Sequence, residues 1–70
     1  MTKEQMTEEI LLAKKEKGMT WADLGKKTGL DQVCIAAACL GSASLLEDEA
    51  TSLAGALGLS SEVKDELMVF

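Results

Sequence analysis

The sequence predicts an all-α chain, five short helices folded as a small bundle. Two observations carry this. No stretch alternates apolar and polar residues at period two, and β-branched residues are scattered. Gly18, Gly29, Gly41 and Gly58 each follow an apolar or Lys-bearing segment, where helix-ending glycines stand, and a Ser, Thr or Asp sits near each following start.

The first helix is expected from about Lys3 to Lys17. Thr2 and Gln5 have the spacing of a capping box. Met6, Ile10 and Ala13 share one face, and Lys14, Lys15 and Lys17 crowd the end where the helix dipole favours cations. Leu11 and Leu12 point away from that face. They are either part of a wide core face or a second contact with another chain or domain.

The second helix is expected from Trp21 to Thr28, capped by Thr20 with Asp23 three residues on. Leu24 and Trp21 form its apolar edge. Gly25 inside it costs up to about 1 kcal/mol relative to Ala, so its smallness suggests close approach of another helix. The third helix, from Asp31 or Gln32 to Leu40 with Asp31 as N-cap, is apolar almost all round and is expected to be buried on most sides.

The fourth helix is expected from about Leu45 to Leu57, with Ser44 and Glu47 at capping-box spacing. Glu47, Asp48 and Glu49 fill its first turn, a solvated start matched to the dipole. Ala50, Leu53, Ala54 and Leu57 follow the helical period. The fifth helix is expected to start at Ser60 or Ser61 and run toward Phe70, with Val63, Leu67 and Phe70 on its inner edge.

Composition bounds function. The chain has 70 residues, seven Lys, no Arg, no His and no Pro, with a net charge of −5. Residues 1–70 are expected to form a single helical domain near the size where one core is marginal. Aromatics make up 3% of the chain, so the core rests on Ala, Leu, Met, Ile and Val, and such a domain can lean on a partner surface. Without His or Arg there is no Ser-His-Asp triad, no Cys-His pair and no arginine clamp on an anion. Two cysteines alone do not make a zinc site. No catalytic, cofactor-binding or metal-ligating residue is therefore assigned. The apolar run Val33–Leu40 is far short of the ~20 residues that a membrane span needs. The acidic N-terminus does not read as a signal peptide, and a cytoplasmic setting is expected.

Cys34 and Cys39 are expected to be small buried apolar residues. Five residues along a helix turn by about 140° and rise about 7.5 Å, beyond the ~7 Å limit for an unstrained disulfide. A reactive thiol at Cys34 is the alternative.

Residues 20–41 resemble the helix-turn-helix of phage-repressor-like domains. Leu24 and Gly25 match the first-helix core positions, Gly29 the turn glycine, and Leu30 the apolar residue after it. Asp31 matches the cap, Ile35 and Ala36 the second-helix core, and Gly41 its end. The resemblance implies a five-helix orthogonal bundle of the lambda-repressor-like DNA-binding-domain fold. The residues read against DNA itself. Only Asp31 and Gln32 could read bases, and no Lys or Arg lies between Asp31 and Ser61, although phosphate neutralisation dominates DNA affinity. Lys14, Lys15, Lys17, Lys26 and Lys27 form a modest basic cluster, diluted by Glu16 and Asp23 and expected to face solvent.

A longer series runs without gaps from about Ile10 to Leu59. It comprises Ile10-Leu11-Leu12-x-Lys14, Thr20-Trp21-Ala22-Asp23-Leu24, Thr28-Gly29-Leu30, Ala37-Ala38-Cys39-Leu40-Gly41 and Leu57-Gly58-Leu59. This series resembles the N-terminal helical domain of cyanases, the cyanate hydratases or lyases. The resemblance implies a parent enzyme converting cyanate and bicarbonate to ammonia and carbon dioxide, as a decamer built from dimers with active sites between subunits. It also implies that the catalytic Arg, Glu and Ser lie in a C-terminal domain beyond Phe70, so no position here inherits a catalytic role. One departure is Leu46, where the family often has a proline. The expected role is subunit packing, with a homo-oligomer or the catalytic domain as partner and with Leu11 and Leu12, or the third helix, as the self-association surface. A repressor-like module that binds a protein, or less readily DNA, is the alternative.

Overall fold

Thr2 begins α1, which spans Lys3–Glu16, through a reciprocal cap. Its hydroxyl accepts from the Gln5 N–H at 3.1 Å, and its own N–H donates to the Gln5 side chain at 2.9 Å. Thr20 and Asp23 repeat the device at the start of α2, Trp21–Thr28. Asp31 caps α3, Gln32–Cys39, by accepting from the Val33 N–H at 2.7 Å. Ser60 caps α5, Ser61–Met68. These caps satisfy N–H groups that a helix start otherwise leaves without partners. The computed structural model describes residues 1–69, so the expected place of Phe70 on the inner edge of α5 lies outside the described residues.

Glycine ends α1 and α3 alike. Gly18 and Gly41 adopt φ of 63° and 87°, which an L side chain rarely takes. Each allows its own N–H and the next one to fold back: Met19 donates to Lys14 and Gly18 to Lys15, while Ser42 donates to Ala37 and Gly41 to Ala38.

The helix α4, Glu47–Leu57, departs from expectation at its start. Leu46, not Ser44, occupies the N-cap position, and a leucine has no side-chain acceptor. Only half of a capping box remains, the Leu46 N–H donating to the Glu49 carboxylate at 2.9 Å. The reason is tertiary. The Leu45 N–H donates to the Leu67 carbonyl at 2.8 Å and the Leu45 side chain is buried, so residue 45 is drawn onto α5 before the helix can begin.

The described residues contain five helices and no strand. They enclose one apolar cluster to which every helix contributes: Met6 and Ile10, Leu24, Ile35 with Ala38 and Cys39, Leu53 and Leu57, and Val63 with Leu67. No charged or polar side chain is buried among the described residues. Gly25 does mark a close approach, by the turn before α3 more than by a helix: a Cβ there would lie 3.1 Å from the Leu30 carbonyl oxygen and 3.5 Å from the Gln32 Cβ.

The third helix is less buried than its composition suggests. Ile35, Ala38 and Cys39 face the core, and Ala36 and Ala37 are half-buried. Val33, Cys34 and Leu40 lie exposed, Val33 at 71%. An apolar sequence carries no direction, and α3 packs on α2 and α1 along one side only. Cys34 is thus an exposed thiol rather than the buried residue expected, while Cys39 is fully buried; both are free. No helix among the described residues is long and apolar enough to cross a membrane.

Candidate assembly surfaces

Metal chemistry needs converging ligands. Among the described residues no three His, Cys, Asp or Glu side chains come together as a metal site would require. A groove of about 280 Å³ between α1 and the α4–α5 turn is lined by Leu12, Ala13, Leu59 and Val63 together with Glu9 and Glu16. A second groove is edged by Glu8, Glu9 and Glu62. A small anion needs oriented N–H groups or cations, and these rims are anionic.

The lysines are dispersed or engaged. The Lys14 ammonium lies 4.9 Å from the centre of the Trp21 ring and donates to the Met19 carbonyl, so it does not stand free in solvent as the basic cluster reading expects. Lys3 is held by α5, bonded to the Glu66 and Val69 carbonyls and 3.6 Å from the Glu66 carboxylate. Lys26 and Lys27 are exposed at the end of α2. The outward face of α3 carries Asp31, Gln32, Val33 and Cys34 and no cation.

Large apolar side chains also stand exposed on α1, α3 and the head of α4. Leu11 and Leu12 are 40% and 57% exposed on the side of α1 opposite Met6 and Ile10, so they are not a wide extension of the core. Val33 and Leu40 form a second apolar area on α3, and Leu46 is exposed at the head of α4. The exposure of Leu11 and Leu12 is readable from helical spacing. That of Val33 and Leu40 is not, because no polar residue in α3 after Gln32 marks a solvent side.

Two groups are shifted from their ordinary titration. The Thr20 backbone N–H, then the Thr20 hydroxyl, hold the Asp23 carboxyl below its ordinary range, with Lys26 adding to the effect. Burial pushes the Cys39 thiol up to about 12, which leaves it protonated and inert.

Comparison with known proteins matches residues 3–69 to the family described as "Cyanate hydratase, N-terminal". The chain is 43% identical over 67 residues to a cyanate hydratase of Prochlorococcus marinus subsp. pastoris, covering 96% of this chain and 46% of that protein. It is 41% identical over 70 residues to the cyanate hydratase of a Marinomonas species, covering 100% of this chain and 48% of that protein. It is 49% identical over 57 residues to that of a Nostoc species, covering 81% and 39%. The chain spans under half the length of these curated relatives.

Proposed function

The chain belongs to the family of cyanate hydratase N-terminal domains, and from that premise we propose that it is an assembly domain of a cyanate hydratase. Residues 1–70 act as one helical domain in this reading, and the chemistry resides in a separate catalytic domain. The parent reaction joins cyanate and bicarbonate to give ammonia and carbon dioxide, in a cytoplasmic homo-oligomer. The helical domain packs subunits through Leu11 and Leu12.

The observation that carries this reading is the contrast between surfaces. Apolar side chains stand in solvent on α1 and α3, while both charged residues lining the groove between α1 and the α4–α5 turn, Glu9 and Glu16, are acids. Exposed apolar area invites protein contact, and an acidic groove repels a small anion. The alternative, a repressor-like module, shares the short turn from α2 to α3. Its DNA-reading form finds no support on α3, whose outward face lacks a cation.

The test is ammonia release from cyanate, dependent on bicarbonate, by the purified 70-residue chain. No release above the uncatalysed rate is expected. Turnover that scales with protein concentration would place catalytic groups within these helices and overturn the reading. A mobility-shift titration at low salt addresses the alternative, with no sequence-specific complex expected.

A further inference from the structure

Glu8 and Lys15 stand on the solvent side of α1, one on each side of Leu11 and Leu12, and neither has an ionic partner. Among the described residues the one ion pair joins Lys3 to Glu66. Charges on a helix pair three or four residues apart. From Glu8 those positions hold Glu4, Gln5, Leu11 and Leu12; from Lys15 they hold Leu11, Leu12, Gly18 and Met19. No opposite charge within the helix can meet either group.

At 3.6 residues per turn, Glu4, Glu8, Leu11, Leu12 and Lys15 fall within an arc of about 100°, and all five are exposed. Glu8 and Lys15 are two turns apart, about 10.5 Å along the axis, with the two leucines midway. The face therefore reads acid, apolar centre, base. Turned end over end about a point between Leu11 and Leu12, it complements itself. The acid meets the base and leucine meets leucine.

We propose that two copies of this chain associate through antiparallel α1 helices. The two-fold axis passes between Leu11 and Leu12, and Glu8 of each copy faces Lys15 of the other. The proposal rests on the reading of α1 as an assembly surface and adds the partner, the direction and the register. A parallel pairing would set Glu8 on Glu8 and Lys15 on Lys15, which repel. An isologous contact of this kind is the ordinary route to a homodimer. Val33 and Leu40 on α3 have no flanking charges of opposite sign, so nothing there selects an occupant in the same way.

One helix face is a small interface, so sedimentation equilibrium is run from tens to hundreds of micromolar, about the range where weak contacts populate. A monomer–dimer equilibrium is expected. Leu12→Gln weakens it about tenfold or more, and Glu8→Lys or Lys15→Glu alone weakens it by about tenfold. The double exchange E8K/K15E restores dimerisation to within about threefold of the original, because the complement is regenerated in mirror order. Circular dichroism verifies that each variant remains helical. In a Cys34→Ser background, a mixture of Glu8→Cys and Lys15→Cys copies cross-links on oxidation, whereas Glu8→Cys alone does not. Its two thiols would be offset by about 10.5 Å, beyond the ~7 Å Cα limit. A chain that remains monomeric at hundreds of micromolar overturns the proposal. So does a dimer that Leu12→Gln disrupts and the double exchange fails to restore; that second result refutes the register alone and leaves the assembly role, which cyanate turnover tests separately, in place.

Discussion

Lys3 and Glu66 tie the first turn of α1 to the last turn of α5. The Lys3 ammonium lies 3.6 Å from the Glu66 carboxylate and donates to the Glu66 and Val69 carbonyls. It thus serves carbonyls at the end of α5, where that of Glu66 also accepts from the Val69 N–H at 3.1 Å, and it places a cation where the dipole of α5 is negative. The contact spans nearly the whole sequence and closes the bundle on itself.

Lys3→Met keeps the aliphatic stem beside Gly41 and removes the charge. The pair is partly exposed, at 27% and 17%, so solvent screening reduces its worth. A loss of about 1–2 kcal/mol is expected, since hydrogen bonds from a charged donor to two carbonyls disappear. Urea denaturation measures it. An unchanged midpoint would show that the Lys3 contact adds nothing to the hold on α5.

Gly25 and Gly55 are both interior helix glycines, yet they answer substitution differently. A Cβ at Gly55 meets nothing within 4 Å, so Gly55→Ala is expected to add about 0.5–1 kcal/mol by restricting the unfolded chain and improving helix propensity. A Cβ at Gly25 lies 3.1 Å from the Leu30 carbonyl oxygen, so the turn must shift to admit it. Gly25→Ala is expected to gain nothing or to lose stability despite the same propensity term. Thermal melts of the two variants side by side decide this, and equal gains would mean that the turn before α3 yields freely.

Local signals made the helices legible, and tertiary contacts hid the rest. Thr2–Gln5, Thr20–Asp23 and Gly41 act within a few residues of themselves, so spacing alone locates α1, α2 and the end of α3. The start of α4 depends on a hydrogen bond from Leu45 to Leu67, more than twenty residues on, and no local pattern reveals it. Ser44 has the right spacing and does not cap. The solvent side of α3 was equally hidden, because Val33, Cys34 and Leu40 are as apolar as Ile35 and Ala38. In the candidate surface, Leu11 and Leu12 stood out from the stripe of Met6 and Ile10 by helical period alone. The proposed pairing of Glu8 with Lys15 gains meaning only once that face is known to lie in solvent.

Leu46 is a poor N-cap in good N-cap geometry. Its φ of −73° and ψ of 162° suit Ser or Asn, it offers no acceptor, and its side chain is 73% exposed. Leu46→Ser supplies an acceptor for the N–H groups of the first turn and removes little buried area. A gain of about 0.5–1 kcal/mol is expected, raising Tm by a few degrees in a chain this small. A lowered Tm would mean that Leu46 contributes packing that its exposure does not suggest.

Asp23 gives the start of α2 a pH dependence with a definite sign. Its carboxyl is held below the ordinary value by the Thr20 backbone N–H first and the Thr20 hydroxyl second. A depressed folded pKa means stability that is present above the unfolded value, about 3.9, and lost as pH falls through the folded one. Relative to Asp23→Asn, the native chain should therefore hold a constant advantage above about pH 5, and the difference should shrink on acidification below that. An NMR titration of the side-chain carbonyl should give a midpoint below 3.9. A midpoint at or above the ordinary value would show that the Thr20–Asp23 cap is not formed in solution.

The two thiols should report on folding because burial separates them. Cys34 is exposed in the first turn of α3, whereas Cys39 is fully buried in the core and its thiol pushed up to about 12. Only a thiolate attacks an aromatic disulfide reagent, and Cys39 can form one readily only when α3 lifts away. The native chain is expected to show one fast thiol and one slower by about a hundredfold or more, the slow rate following the opening equilibrium. Cys34→Ser should abolish the fast phase and leave the slow one. Added urea should accelerate the slow phase well below the unfolding midpoint if α3 opens locally, and only near it if α3 leaves with the whole core. Two fast thiols in the native chain would contradict the burial of Cys39 and, with it, the packing of α3 on α1.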